Sequence, residues 1–216
     1  MAKDLENYMT GNNVYILTDL VSEATNGLIA QLAQWVNKLE LKKQPEKIYS
    51  PYEVIPQDVN ILNVWINSSG GSQALMLALS NMFNIASAKG TIIRTYNIAR
   101  ANSSASMLAV SGTKGYRFMY QDADNVIHYG SSRNLITHPY ELEYIVKDIK
   151  KAINITSNVY LEKTNLTKKE ISKFYNIEGS GSLNAIQCLD KGLCDWIITN
   201  DGRFVNNVAE LKNKQR

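Results

Sequence analysis

The chain has 216 residues, 44% hydrophobic and 20% charged, which is ordinary globular usage and enough to bury the core of one α/β domain. Its formal charge of +3 is spread over lysines interleaved with carboxylates, which argues against nucleic acid as the main partner. Cys188 and Cys194 have no companions for a disulfide framework or metal site, no segment is apolar over the roughly 18 residues of a membrane span, and the first residues lack a signal-peptide pattern, so a cytoplasmic protein without cofactor or membrane is expected.

Residues 14–17 read as a short strand, and Leu28, Ile29, Leu32, Trp35, Val36 and Leu39 then recur at helical spacing. Residues 42–58 carry Pro45, Pro51 and Pro56 among charges and read as a loop excursion or insertion. A β-branched and aromatic run at 59–66 leads into Asn67-Ser68-Ser69-Gly70-Gly71, after which Leu75, Leu79, Met82, Phe83 and Ala86 mark a helix face. Residues 91–96 form the next expected strand, 103–112 a small-residue helix closed by a glycine C-cap, and 116–120 and 125–128 two more strands. Strands alternating with helices predict crossover units and a parallel sheet.

Leu142, Ile145, Val146, Ile149, Ile153 and Val159 give one long helical stripe over 139–163, with more apolar face than a single small domain covers. Thr167 with Glu170 has the spacing of a capping box. A helix over 183–191 closed by Gly192 and a strand over 195–199 complete the reading, all within one domain spanning 1–216.

A glycine pair after a strand, taken alone, is a tight turn that needs positive φ. The same bare backbone can also aim amide donors at an oxyanion, because no Cβ blocks the approach. Ser103 sits in Ala101-Asn102-Ser103-Ser104-Ala105-Ser106, between an apolar strand and the small-residue helix, where Asn102, Ser103 or Ser104 could each serve as N-cap. Such a position also gives a hydroxyl exposure and nearby unpaired amides. The chain has two histidines. His138 precedes Pro139 at a helix start and reads as a surface or capping residue, whereas His128 closes the apolar run Val126-Ile127 and by itself reads as a half-buried strand histidine.

Taken in order, Asn67-Ser68-Ser69-Gly70-Gly71-Ser72, Ser103, Lys114-Gly115-Tyr116-Arg117-Phe118, Ile127-His128 and Gly192-Leu193-Cys194-Asp195 resemble the landmarks of the Clp protease proteolytic subunit, ClpP. The resemblance runs from about Asn13 to Asp195. Ser69 stands where the family has proline, Cys194 where it has valine, and Ala99-Arg100-Ala101-Asn102 replaces a glycine-led context. Ala105-Ser106-Met107 copies the family's A-S-M tripeptide literally, yet Lys114 lies 11 residues and His128 25 residues after Ser103, and both are the family spacings.

The resemblance implies a crotonase-like α/β spiral in which the 139–163 helix is a protruding handle. It implies Ser103 as nucleophile, His128 as its base, and the amides of Gly71 and Ser104 as the oxyanion hole. It further implies a serine endopeptidase that cuts unfolded polypeptides to short peptides inside a homo-oligomeric double heptameric ring. An AAA+ unfoldase would be the partner, with Trp65 at the position of a docking-pocket aromatic. The family's E-R-D-x-F segment has no counterpart here, since residues 171–181 read ISKFYNIEGSG. Counting forward from Ile171 lands on Glu178 and counting back from Gly192 lands on Ser180, so the orienting acid is expected at Glu178, with Asn176, Ser180 or a water as neutral alternatives. Two other readings stay open: a ring subunit that has lost the chemistry, favoured by the missing aspartate, and an acyl-CoA enzyme of crotonase type, which would have no use for a Ser/His pair.

Overall fold

The computed structural model describes residues 6–128, 139–175 and 181–212. Its frame is a nine-stranded sheet assembled by successive strand–helix units. Strand β1 (Tyr8–Thr10) turns at Gly11, φ 57°, into β2 (Asn13–Ile16), and helix α1 (Ser22–Lys38) returns the chain to β3 (Ile61–Ser68). Helix α2 (Gln73–Ala88) leads to β4 (Ile92–Asn102), and α3 (Ser104–Val110) to β5 (Arg117–Tyr120) and β6 (Asp124–Ile127). After the long α4 (Pro139–Lys163) come α5 (Lys168–Phe174), β7 (Gly181–Asn184), α6 (Ala185–Asp190), β8 (Trp196–Ile198), β9 (Phe204–Val205) and α7 (Val208–Lys212).

The strand order is β1-β2-β3-β4-β5-β8-β9, with β6 beside β4 and β7 beside β6. Strands β2 to β5 and β8 pair in parallel, and β1, β7 and β9 add antiparallel edges. Each parallel connection carries a helix, as crossover geometry requires. The expected α/β class with a parallel core is therefore what the chain adopts.

Alternation along the strands separates two faces. Val14, Ile16, Leu62, Val64 and Ile66 are buried in one core with Leu28, Leu32 and Val36 of α1 and Met76, Leu79 and Phe83 of α2. The intervening residues place Tyr15, Trp65, Tyr96, Phe118 and Trp196 at one register across five strands. Trp65 stacks on Tyr96 at 4.2 Å and Tyr96 on Phe118 at 4.8 Å between ring centroids. Such pairs stabilise by about 0.5–1.5 kcal/mol each beyond their burial.

The 42–58 excursion crosses this aromatic face. The Tyr49 amide donates to Tyr116 Oη at 2.7 Å, Tyr52 meets Phe204 edge-on at 5.5 Å, and Ile55 packs on a second cluster of Ile92, Tyr116, Phe118 and Ile198.

Three expectations are corrected. Strand β4 is longer than 91–96 and carries its ladder through Asn102, because Arg100, Ala101 and Asn102 pair with Asp124, Asn125 and Val126 of β6. Residues 183 and 184 belong to β7, not to a helix, since β6 pairs with them; Asn184 then caps α6 in a capping box with Gln187. Helix α3 stops at Val110, and Gly112 is no left-handed cap: it permits close approach, a Cβ there lying 2.7 Å from Thr95 Oγ1. The Thr167–Glu170 capping box forms as its spacing predicts.

Candidate active site

A cavity of about 910 Å³ opens at the carboxyl ends of β3, β4 and β6. Its wall includes Gly70, Gly71, Ser103, Ser104 and His128, so three segments distant in sequence meet here. Parallel pairing explains the meeting. The β4–β6 register aligns Asn102 with Val126, and the Ser103 amide donates to the Val126 carbonyl at 2.7 Å, so Ser103 begins α3 where β6 ends and His128 follows. His128 is the first residue beyond β6 and is exposed.

Ser103 has φ 55° and ψ −125°, and is the one non-glycine residue at positive φ among the described residues. Such backbone costs about 1–3 kcal/mol and persists only where its surroundings over-determine it. Gly70 is part of that constraint. With φ 100°, it brings bare backbone against the turn, and a Cβ there would lie 2.5 Å from the Asn102 carbonyl and 2.7 Å from Ser103 Cβ. Ser103 occupies the N-cap position of α3, yet its side chain makes no capping bond, which leaves the hydroxyl at the cavity wall.

Gly71 bridges to Leu20: the Leu20 amide donates to the Gly70 carbonyl at 2.7 Å and the Ser72 amide to the Leu20 carbonyl at 2.9 Å. A Cβ on Gly71 would lie 2.6 Å from the Leu20 carbonyl oxygen. The Gly71 carbonyl in turn accepts from Ser104 Oγ at 2.9 Å, which ties the glycine turn to α3. Among the described residues neither the Gly71 amide nor the Ser104 amide donates a hydrogen bond, so two backbone donors beside Ser103 remain unused. A serine hydroxyl, an imidazole and two unpaired amides on one cavity wall are the components of acyl transfer through an oxyanion.

Ser106 differs from Ser103 throughout. It is fully buried, and its Oγ donates to Asn125 Oδ1 at 2.6 Å and accepts from Tyr160 Oη at 2.9 Å. The facing wall comes from α4, where Ile149, Ile153, Thr156 and Tyr160 share one helical face. Part of the stripe read from the sequence as excess apolar surface thus lines this cavity, while Leu142 and Val146 nearer the start of α4 are 47% and 42% exposed. The described carboxylates of the lining are Asp19 and Asp148, and Asp19 Oδ1 already accepts from the Ser69 amide at 3.2 Å. Glu178, with Asn176, Ser180 and His138, lies outside the described residues. Among the described residues no histidine, cysteine or carboxylate cluster could hold a metal ion, and no helix is long and apolar enough to cross a membrane.

The other landmark residues form a structural joint. Arg117, only 3% exposed, donates from Nε and Nη2 to the two carboxylate oxygens of Asp195 at 2.9 and 2.6 Å, and from Nη1 to the Lys163 carbonyl at 2.6 Å. The Gly115 and Arg117 amides donate to the same carboxylate. This joint locks β5, β8 and the end of α4 together. Sequence reading missed Gly70 as Ser103's direct neighbour, although the glycine pair was visible, and gave no signal for Asn125.

The sequence profile of the Clp protease family matches residues 54–201, a span that contains the glycine turn, Ser103, His128 and Asp195. Among curated proteins, the chain is 30% identical over 139 residues to the ATP-dependent Clp protease proteolytic subunit of Ligilactobacillus salivarius, covering 63% of this chain and 66% of that one. It is 24% identical over 204 residues to that of Lactococcus lactis subsp. lactis, covering 93% and 90%. A 28% identical match to the Mesostigma viride protein of the same name covers 68% of this chain and 60% of the relative. With more than half of its length matched by the family profile, the chain belongs to the Clp protease family as a divergent member.

Proposed function

We propose that the protein is a serine endopeptidase subunit of the Clp type. His128 takes the Ser103 proton, Ser103 Oγ attacks a peptide carbonyl, and the Gly71 and Ser104 amides receive the oxyanion. The C–N bond breaks as His128 gives that proton to the leaving amine, and water activated by His128 then releases the acyl group as a carboxylic acid. The observation that carries this reading is the strained Ser103 backbone beside two unpaired amides in a cavity that His128 also lines. One such amide contributes roughly 3–4 kcal/mol to transition-state stabilisation. Hydrolysis of a small fluorogenic peptide by wild type, Ser103→Ala and His128→Ala tests it. Turnover by wild type alone supports the reading, and turnover unchanged in Ser103→Ala removes it.

The histidine needs an acceptor on its far nitrogen, and Glu178 is the proposed one, since glutamate takes the aspartate's place in some serine-hydrolase triads. Comparing Glu178→Gln and Glu178→Ala with Ser180→Ala decides this. If both Glu178 variants stay within a few-fold of wild type while Ser180→Ala falls far below, a neutral group orients His128.

In the proposed assembly, α4 is the handle through which two heptameric rings join and enclose unfolded polypeptide, and the exposed Leu142, Tyr144 and Val146 supply apolar surface for that contact. An AAA+ unfoldase would dock on the aromatic face that holds Trp65. The setting is cytoplasmic. A sedimentation mass near that of fourteen chains supports the assembly, and a monomer at micromolar concentration removes it. The missing family aspartate favours one second reading, a structural ring subunit without turnover, for which the wild type would assemble yet leave the fluorogenic peptide intact.

A further inference from the structure

Three buried polar side chains that the proposed chemistry does not use join the elements carrying its reacting groups. Ser106 stands three residues beyond Ser103 on α3, and Asn125 three residues before His128 on β6. The Ser106 hydroxyl donates to Asn125 Oδ1 at 2.6 Å, and the Tyr160 phenol of α4 donates to Ser106 Oγ at 2.9 Å. All three side chains are at most 2% exposed. The backbone bond from the Ser103 amide to the Val126 carbonyl lies one residue along the same strand. Helix α3 and strand β6 are therefore fastened twice, once by backbone at the nucleophile and once by side chains a turn away.

The polarity of the chain is fixed by its ends. Asn125 Oδ1 can only accept, so Ser106 spends its single proton there and accepts from Tyr160. Burial pushes the Tyr160 phenol far above its ordinary value, which keeps it a donor at any working pH. Tyr160 also closes the helical face on which Ile149, Ile153 and Thr156 line the cavity. A shift of α4, whether from substrate or from a neighbouring chain, would bear on Ser106 and hence on both fastened elements.

We propose that Tyr160, Ser106 and Asn125 are positioning residues that set the separation of Ser103 from His128 and couple it to α4. This rests on the reading of Ser103 as nucleophile and His128 as base. Misplacement by about 1 Å in such a pair lowers turnover on the order of a hundredfold.

The test measures three quantities on the full-length chain: the rate of Ser103 acylation by a fluorophosphonate per folded molecule, kcat and KM on a fluorogenic peptide, and the melting temperature. Ser106→Ala is expected to slow acylation and kcat by roughly ten- to a hundredfold with KM nearly unchanged, and Tyr160→Phe, which keeps the ring, by roughly three- to tenfold. The triple variant Tyr160→Phe, Ser106→Ala, Asn125→Leu leaves no polar group of the chain unpaired. It is expected to recover most of the melting temperature and to stay slow, a separation that a purely stabilising role would not produce. Should Ser106→Ala not fold, Tyr160→Phe and the triple variant carry the test. Acylation and kcat within twofold of wild type in all the folded variants, or recovery of rate together with melting temperature in the triple variant, overturns the proposal. A wild type that fails to acylate at Ser103 overturns the nucleophile assignment and this proposal together, whereas a wild type that acylates beside equally fast variants overturns this proposal alone.

Discussion

At the β4–α3 turn, Ser103 holds a positive φ, Gly70 presses bare backbone against it, and the Gly71 and Ser104 amides at the cavity wall have no partner among the described residues. At the joint of β5 with β8, the Asp195 carboxylate takes four donors from Gly115 and Arg117, and Arg117 reaches the α4 carboxyl end as well. Both regions are built from residues of the same family fingerprint. The first stores strain and leaves donors unused, as a site prepared for chemistry does. The second satisfies its buried charges, as a structural ion pair must. Membership in a motif therefore does not assign a role; the state of the hydrogen bonds does.

Substitutions should separate the two regions cleanly. Ser103→Ala is expected to reduce peptide hydrolysis by at least about 10⁴-fold while the protein stays folded. Ser103→Gly should lose as much activity yet gain stability, by about 1 kcal/mol after the entropy cost of glycine, read as a rise in urea midpoint. Arg117→Ala should do the reverse. It takes the ion-pair partner from the largely buried Asp195 and leaves the carboxylate only the two backbone amides, lowering stability by about 3 kcal/mol, while turnover per folded molecule stays within a few-fold. A loss of turnover in Arg117→Ala at full stability would merge the two regions.

Gly70→Ala sharpens the contrast from within the site. The new Cβ meets the Asn102 carbonyl and Ser103 Cβ inside contact distance at a φ that alanine disfavours, so the turn must move and kcat should fall on the order of a hundredfold.

Two smaller effects use neither the Ser103 turn nor the Arg117–Asp195 hydrogen bonds. Burial pushes the Cys188 thiol up to about 12 and raises Cys194 well above its ordinary value, so at pH 8 neither should react with a thiol reagent until denaturant is added. Glu170 is held down to about 2, first by its hydrogen bond from Lys191 and then by Thr167. A lowered carboxyl contributes stability above its ordinary value of 4.5 and loses it as pH falls toward about 2. The melting-temperature gap between wild type and Glu170→Gln should accordingly close across that interval.

The parallel core was legible because its strands are apolar runs punctuated by glycine turns, and α4 because its stripe is long and regular. The end of β4 was not, since Arg100 and Asn102 interrupt the apolar pattern and pairing with β6, with Ser68 of β3 beside Ala101, keeps the segment extended. Strand β7, reading Gly-Ser-Leu-Asn, has little strand propensity of its own and exists through its antiparallel partner. At the site, spacing alone chose Ser103 over Ser106. The burial of Ser106 and its bonds to Asn125 and Tyr160 depend on contacts 19 and 54 residues apart, which no local pattern reports.

Reacting the wild-type chain with a fluorophosphonate and locating the adduct by peptide mass mapping decides whether Ser103 is the nucleophile served by His128. One adduct is expected, on Ser103, lost in His128→Ala and still on Ser103 in Ser106→Ala. An adduct on Ser106, or none on a folded and assembled wild type, would contradict it.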